Sequence, residues 1–311
     1  SRGVYRLDML DFKPIELKDR AWMDSLLSEE HSRSADFRFN NFYLWKDTYR
    51  SMVCTVGDRL GVRVMLSEAM PFYFYPAGRG PLEEILSALE EDAARYGAPL
   101  SLWGVTEEKK EILEKAFPHR FVFSENRPAF DYVYAAEKLE KLPGKKLHGK
   151  RNHIRRFEQA HRWAFVPLTP QRLEDCWEMN NAWIREKEKN GGKVNHSERN
   201  AIRRALDHFE ELGLEGGLLE AEGKVIGFTL GEGQTKDTFT VHFEKAFSQI
   251  QGAYPMINRC FVQYLRQIYP QLRYINREDD MGLENLRKAK ESYQPDFLIA
   301  KYTAISRGKW E

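Results

Sequence analysis

Residues 238–269 read TFTVHFEKAFSQIQGAYPMINRCFVQYLRQIY and place a strand, a glycine-containing loop and a long helix in direct succession. The strand is predicted over 238–243. The helix is predicted over 254–269 because apolar residues recur there at helical spacing, at Ile257, Phe261, Tyr264, Leu265 and Ile268. The loop between them leaves backbone N–H groups free at the start of a helix, where they can bind a phosphate or an acyl carbonyl.

Around this segment, the second half of the chain alternates helices and strands in a regular order. Strand 163–168, helices 171–189 and 197–212, and a hairpin of 215–221 with 224–231 precede it; strand 272–275, helix 283–292 and strand 297–303 follow it. The first half, from Phe12 to Tyr134, has the same order, although the halves share no convincing residue-level repeat. Pro143-Gly144 lies in a charged stretch between the halves, so we place a domain boundary there.

Composition restricts the function classes. The chain has 311 residues, 42% of them hydrophobic, and 48 Lys plus Arg balance 47 Asp plus Glu, so attraction to a polyanion must be local. No apolar run is long enough to span a membrane and no secretory signal is present, so we expect a cytoplasmic protein that could still meet a membrane surface peripherally. We assign no function to residues 1–8, because Met9 could be the natural start.

Motifs of several enzyme classes are missing. The sequence has no His-Glu-x-x-His, Walker loop or Gly-x-Ser-x-Gly, and its three cysteines are far apart, which predicts buried free thiols. We therefore expect no metal site and no tightly bound cofactor.

A basic stretch covers residues 145–162, which include seven Lys or Arg residues and one acid, Glu158. On a helix, Leu147, Ile154 and Phe157 would form an anchoring stripe. The flanking side chains could hold the phosphates of a tRNA, a nucleotide or an anionic lipid; they are Lys150, Arg151, Asn152, His153, Arg155 and Arg156. The alternative, which composition alone favours, is a solvated helix whose cations pair with neighbouring acids.

An acidic stretch follows the predicted strand 272–275. Glu278, Asp279 or Asp280 could bind an ammonium group or accept a proton from an attacking amine. Asn276 and Arg277 beside them are candidate substrate- or donor-binding residues. The alternative is that these acids only complement the dipole of the next helix. His242 and Glu244 share one face of the preceding strand, where a structural role is our first interpretation.

The order strand, helix, helix, three strands, helix, strand, helix, strand resembles the GNAT acetyltransferase fold. Gln249 and Gly252 also resemble its pyrophosphate-binding loop, whereas Tyr254 departs from that pattern because a small residue is expected there. We therefore predict an α+β protein of two tandem GNAT folds, residues 9–137 and 163–305, joined by a basic helical linker over 138–162.

Longer stretches resemble an uncharacterised bacterial family similar to the C-terminal domain of phosphatidylglycerol lysyltransferase. They are 34–36 (SAD), 41–45 (NFYLW), 146–154 (KLHGKRNHI), 274–283 (YINREDDMGL) and 286–293 (LRKAKESY). Those lysyltransferases and the Fem-type peptidyltransferases take an aminoacyl group from a charged tRNA. The resemblance implies that Arg287 and Lys288 contact the terminal nucleotide, and it adds Tyr293 to the donor-binding residues.

The resulting hypothesis is an acyltransferase that moves an aminoacyl group from aminoacyl-tRNA to an amine or hydroxyl of a small molecule, peptide or lipid headgroup. Glu278, Asp279 and Asp280 are the candidate catalytic residues. Two alternatives stay open, an acyl-coenzyme A N-acyltransferase and a non-catalytic tRNA- or metabolite-binding protein.

Overall fold

The computed structural model describes residues 10–308, so Met9 and residues 1–8 lie outside the described residues. The chain divides into two compact units. The first holds the described residues up to Phe130 and returns from Ile299 onward, and the second holds Asp131–Leu298.

The first unit is built on a seven-stranded mixed sheet with the strand order β1-β2-β3-β4-β5-β14-β6. Its strands are β1 (Lys13–Pro14), β2 (Met52–Val56), β3 (Arg59–Ser67), β4 (Met70–Phe74), β5 (Ser101–Thr106), β6 (Phe121–Glu125) and β14 (Lys301–Ser306). Its helices are α1 (Arg20–Ser28), α2 (Phe39–Leu44), α3 (Lys46–Tyr49), α4 (Glu83–Ala94) and α5 (Glu107–Ala116). The Phe37 and Phe74 rings pack edge to face at 4.9 Å in its core.

The second unit has its own seven-stranded sheet, in the order β13-β7-β12-β11-β10-β9-β8. Its strands are β7 (Asp131–Ala135), β8 (Trp163–Pro167), β9 (Glu215–Ala221), β10 (Lys224–Gly233), β11 (Thr238–Ala246), β12 (Tyr274–Asn276) and β13 (Phe297–Ile299). Its helices are α6 (Ala136–Lys141), α7 (His148–Ala160), α8 (Leu173–Lys189), α9 (His196–Asp207), α10 (Ala253–Ile268) and α11 (Glu284–Glu291).

This division differs from the predicted boundaries at 137/138 and 305. β7, expected to complete the first domain, pairs with β12 in the second sheet, with Tyr134 opposite Ile275. β14, expected to complete the second domain, pairs with β5 and β6 in the first sheet. A local pattern identifies a strand but not its partner, because pairing depends on which sheet buries the strand.

The basic segment is not a separate linker in this division, because α7 belongs to the second unit. The predicted anchoring stripe explains this placement. Leu147, Ile154 and Phe157 are almost completely buried in the hydrophobic core of the second unit. Burial of three large apolar side chains ties the helix to that core.

One local feature of the second sheet positions the candidate site. β11 and β12 are parallel partners only from Thr238–Tyr274 to Thr240–Asn276. β12 then ends, whereas β11 continues to Ala246. Beyond Thr240, β11 stays paired with β10 on one edge, and residues of the loop that follows β12 contact the His242 and Glu244 side chains of β11.

Candidate active site

His242 lies at the centre of a buried carboxylate–imidazole–carboxylate cluster. Its Nε2 is 2.6 Å from a carboxylate oxygen of Glu232 on β10, and its Nδ1 is 3.2 Å from Glu278. Burial opposes protonation, but the charge of Glu278 and the hydrogen bonds of both carboxylates outweigh burial and raise the pKa of His242 to about 10. His242 is therefore an imidazolium at neutral pH and donates from both nitrogens.

Glu244, on the same face of β11, is a second buried carboxylate with several donors. Its Oε2 accepts from the hydroxyl of Thr229 at 3.1 Å, and its Oε1 accepts from Asn258 Nδ2 at 3.2 Å and from Arg277 Nη2 at 3.3 Å. Asn258 Oδ1 is also buried, and no described residue is in hydrogen-bonding geometry with it. Arg277 additionally interacts with the Tyr134 side chain, which favours the charged guanidinium. The cluster therefore holds one buried acceptor atom with unused capacity.

Two cations lie next to Tyr293, which is 6% exposed. The Arg277 guanidinium carbon lies 5.0 Å and the Lys150 ammonium 4.4 Å from the centre of its ring. Burial and the charge of Arg277 lower the pKa of Lys150. The structure thus brings together one residue from each of three separate sequence stretches that we predicted to bind the donor.

The loop after β12 is held in an unusual backbone conformation. Glu278 and Met281 are non-glycine residues with φ of 61° and 52°. Asn276, fully buried, donates to Asp131 at 3.0 Å and accepts from the Glu278 N–H at 2.8 Å. Such strain persists only where the surroundings fix it, and it is frequent at functional sites.

Asp280 fixes the end of this loop. One carboxylate oxygen accepts from Tyr132 at 2.6 Å and from Arg287 Nε at 2.9 Å, and the other accepts from the Gly282 N–H at 2.8 Å. Burial alone would raise the pKa of Asp280, but the hydrogen bonds from Arg287 and Tyr132 outweigh burial and lower it to about 2. A fully buried carboxylate with these donors is suited to holding the loop, and poorly suited to accepting a proton.

Lys290 is a residue that sequence reasoning missed. Its ammonium donates to the backbone carbonyls of Arg277 and Asp279, so these two hydrogen bonds connect the strained loop to α11. Burial and the charge of Arg277 lower the pKa of Lys290 to about 8. Asn258 and Glu232 were missed as well. An amide in an amphipathic helix and an acid in a strand carry no local signal, since only tertiary packing brings them to the cluster.

The other predicted binding residues lie apart from this cluster. Arg151 donates to the carbonyls of Leu142 and Gly144, which is a structural role. Arg155 and Arg156 are exposed on α7, and Lys288, 74% exposed, lies near Glu284 on α11. Asn152 is half-buried, and His153 contacts Gln251.

The loop before α10 lines a separate cavity of about 320 Å3. Gln249 is exposed there, and Tyr254 accepts a hydrogen bond from Trp183 at 3.1 Å. Helix packing explains why residue 252 is a glycine. Its φ is 83°, and a Cβ at this position would lie 2.4 Å from the backbone oxygen of His153, so only glycine allows the approach of α7 and α10.

The larger cavity, of about 610 Å3, lies in the first unit beside Lys13, Trp22 and Cys54, and contains none of the predicted residues. Its volume alone is a weaker indication than the buried charges of the second unit, so we place the candidate active site at His242, Glu244, Arg277 and Glu278.

The described residues also bear on other expectations. All three cysteines are free and buried, as predicted, and burial raises the pKa of the Cys54 and Cys260 thiols to about 12. Residues 10–308 contain no group of three or more His, Cys, Asp or Glu side chains arranged to hold a metal ion. None of the helices within this range combines the length and apolar character needed to cross a bilayer.

Known proteins share this architecture. A conserved protein of unknown function from Bacteroides thetaiotaomicron VPI-5482 is 37% identical, with a TM-score of 0.89 over 96% of this chain and 100% of its own. FemX superposes with a TM-score of 0.63 at 9% identity, over 95% of this chain and 97% of its own. A tandem GNAT protein from the clavulanic acid biosynthesis pathway gives 0.50 at 10% identity, over 97% of this chain and 100% of its own.

The last two likenesses show the fold alone, and confirm an α+β architecture with GNAT-like structural neighbours. A comparison with curated proteins gives no match. The family model described as "Phosphatidylglycerol lysyltransferase, C-terminal" matches residues 28–305, which include the whole second sheet, the first sheet apart from β1 and the last residue of β14, and the whole candidate site. The predicted resemblance is thereby confirmed, and the chain belongs to the family of the C-terminal domain of phosphatidylglycerol lysyltransferase.

Proposed function

We propose that the protein is an aminoacyltransferase that moves an aminoacyl group from aminoacyl-tRNA to an amine or hydroxyl acceptor. One observation carries the proposal. Where the pairing of β11 with β12 ends, the cations of Lys150 and Arg277 lie beside the same aromatic ring, and Glu278 directly follows Arg277 in sequence. Membership of a lysyltransferase family supports the reaction class.

The two kinds of charge suit the two parts of such a donor. An aminoacyl ester carries an ammonium group, which a carboxylate binds, and its carbonyl oxygen gains negative charge during attack, which a guanidinium stabilises. Glu278 is the best placed of the three predicted acids, because its side chain is 26% exposed whereas that of Asp280 is fully buried. Asp279 presents its backbone carbonyl to Lys290.

The transfer needs no covalent enzyme intermediate. The acceptor nitrogen or oxygen attacks the ester carbonyl, a new amide or ester bond forms, and the bond to the ribose oxygen of the tRNA breaks. The acceptor loses one proton and the released ribose hydroxyl gains one. The buried thiols are unsuited to act as nucleophiles, because their raised pKa values keep them protonated at neutral pH.

The test is transfer of a labelled aminoacyl group from a panel of charged tRNAs, with Lys150→Met beside wild type. We expect the variant to lower kcat/KM by about tenfold or more, the effect of losing one charge-assisted contact to the donor. Lys115→Met, the same substitution at an exposed lysine of α5 in the first unit, is the matched control and should change kcat/KM by no more than about threefold. Equal losses in both variants would contradict the assignment of Lys150.

An acyl-coenzyme A N-acyltransferase is the second candidate, because the cavity lined by Gln249 lies at the start of α10. The Tyr254 side chain, hydrogen-bonded to Trp183, lines the same cavity. Thermal unfolding with acetyl-coenzyme A separates the two proposals, since a ligand of the folded state raises Tm. Stabilisation by acetyl-coenzyme A and no turnover with any charged tRNA would favour the second. Salt-sensitive tRNA binding without turnover would indicate a binding protein instead.

A further inference from the structure

The cavity of about 610 Å3 in the first unit has a lining that suits one class of ligand. We call it the first-unit groove, and its lining includes Asp11, Lys13, Trp22, Leu26, Cys54 and Asp58. Cavities of this volume accommodate a small organic molecule. The lining combines an indole ring and an aliphatic side chain with charges of both signs, so the balance of those charges decides which ligand fits.

The cations of the groove are already paired with acids. The Lys13 ammonium donates to Asp19 Oδ1 at 2.7 Å, and Asp19 is a buried carboxylate. Burial alone would raise the pKa of Asp19, but hydrogen bonds from Lys13 and Trp22 outweigh burial and lower it, so the pair stays ionised at neutral pH. Arg79 is paired with Glu29, with 3.5 Å between Nε and Oε1. An anionic ligand would therefore have to displace a carboxylate from either cation.

Two carboxylates of the groove, by contrast, have charge available for a ligand. Asp11 and Asp58 are exposed, and neither side chain has a hydrogen bond or an ion pair within residues 10–308. The turn that carries Asp58 is held in place, because its backbone carbonyl accepts from the Arg79 N–H at 3.0 Å. A Cβ at Gly78 would lie 2.0 Å from the same oxygen, so only glycine allows this contact. The groove therefore presents negative charge from a fixed turn.

The Trp22 indole is a fixed apolar wall of the groove. Its Nε1 donates at 2.9 Å to Asp19 Oδ1, the oxygen that also binds Lys13, so a buried carboxylate orients the ring. Leu26 and Cys54 line the same space. Burial raises the pKa of the Cys54 thiol to about 12, so this thiol is a neutral, weakly polar surface. An indole ring near carboxylates favours a cation, because the face of the ring attracts positive charge.

We propose that the first-unit groove binds a small organic cation, in which an amine or guanidinium group is attached to an apolar or aromatic body. The carboxylates of Asp11 and Asp58 bind the cation, and the body packs against Trp22 and Leu26. The inference goes beyond the proposed function and does not rest on it. All of these residues belong to the first unit, whereas the candidate active site lies in the second, so either proposal can fail alone.

The experiment is calorimetric titration of the whole protein with phenethylamine, 2-phenylethanol and 3-phenylpropionate. These ligands share a phenyl ring and a similar size, but they are cationic, neutral and anionic at neutral pH. Wild type should bind phenethylamine about tenfold or more tightly than the other two, which is the combined effect of the aromatic contact and two partly exposed carboxylates. Equal affinities for all three, or no binding of phenethylamine, overturn the inference.

A nuclear magnetic resonance measurement on the same protein locates the ligand. The indole N–H signal of Trp22 is identified as the one that Trp22→Phe removes. Phenethylamine should shift this signal in wild type, because the amine binds beside the ring. Binding of phenethylamine that leaves the Trp22 signal unchanged would place the ligand elsewhere and refute the assignment to the groove.

The double variant Asp11→Asn/Asp58→Asn removes both charges and keeps the shape of the side chains. In this variant the preference for phenethylamine over 2-phenylethanol should fall below about threefold. Glu84→Gln/Glu111→Gln is the matched control, because both acids are exposed on α4 and α5 of the first unit and the change removes the same net charge. Thermal unfolding verifies that each variant is folded.

The control should retain the preference of wild type. An equal loss of preference in both double variants would mean that the net charge of the protein attracts the amine, and this result would overturn the groove as its site. Should the groove variant fail to fold, the three-ligand comparison and the Trp22 signal of wild type decide the question.

Discussion

Replacement of Asp280 by Asn tests whether this residue holds the site together or takes part in proton transfer. Its pKa falls from an ordinary 3.8 to about 2, a difference that corresponds to about 2 kcal/mol of unfolding free energy at neutral pH. The sign follows from the lowered pKa. The contribution is complete above about pH 4, the unfolded value, and is lost as the pH falls through about 2.

We therefore expect Asp280→Asn to lose about 2 kcal/mol in urea unfolding at pH 7, and the difference from wild type to shrink progressively below pH 4. Glu174→Gln is the control, because the carboxylate of Glu174 is 70% exposed in its pair with Arg203 and should contribute little.

The same variant separates two roles in catalysis. Loss of a loop-holding residue lowers kcat/KM without moving the pH profile, whereas loss of a general base removes the low-pH limb of the profile, because that limb reports protonation of the base. A loss of stability that is the same at pH 3 and pH 7 would refute the electrostatic argument. Full stability together with abolished transfer would return Asp280 to the reacting groups.

Two further predictions follow from the second unit. The interactions that raise the pKa of His242 stabilise the folded state fully below about pH 6.5, and this contribution is lost as the pH rises towards about 10. We therefore expect His242→Gln to flatten the alkaline decline of the unfolding free energy. An unchanged decline would contradict this prediction. Gly252→Ala should lower Tm well beyond Gly144→Ala, because both glycines have φ near 83°, but a Cβ meets the backbone of His153 only at Gly252. Equal effects would mean that backbone conformation alone requires the glycine.

The local patterns of the sequence were sufficient for much of the fold. The stripe of Leu147, Ile154 and Phe157 predicted a buried helical face, because a period of 3.6 residues is a property of the helix itself. The strand–loop–helix at 238–269 was predicted within one residue at the helix boundaries, as α10 covers Ala253–Ile268. The apolar face of α10 is buried in the core, because exposure of these side chains to water would be unfavourable.

Site residues were predictable where charge clusters locally. Lys150, Arg277 and Glu278 lie in stretches whose composition is unusual by itself, so the sequence pointed to them without any knowledge of contacts. Their neighbours in the cluster were not distinguishable. Arg151 and Arg156 are equally basic, and only packing assigns one to backbone carbonyls and the other to solvent.

The sequence by itself determined the secondary structure, the α+β class, the family and the stretches that carry the candidate chemistry, since each depends on neighbours along the chain. Only the tertiary structure decided that β7 and β14 pair in sheets other than those expected, and that Asn258 and Arg277 converge on Glu244. Strand pairing and buried hydrogen bonds join residues far apart in sequence, and the burial that makes them favourable exists only in the folded chain.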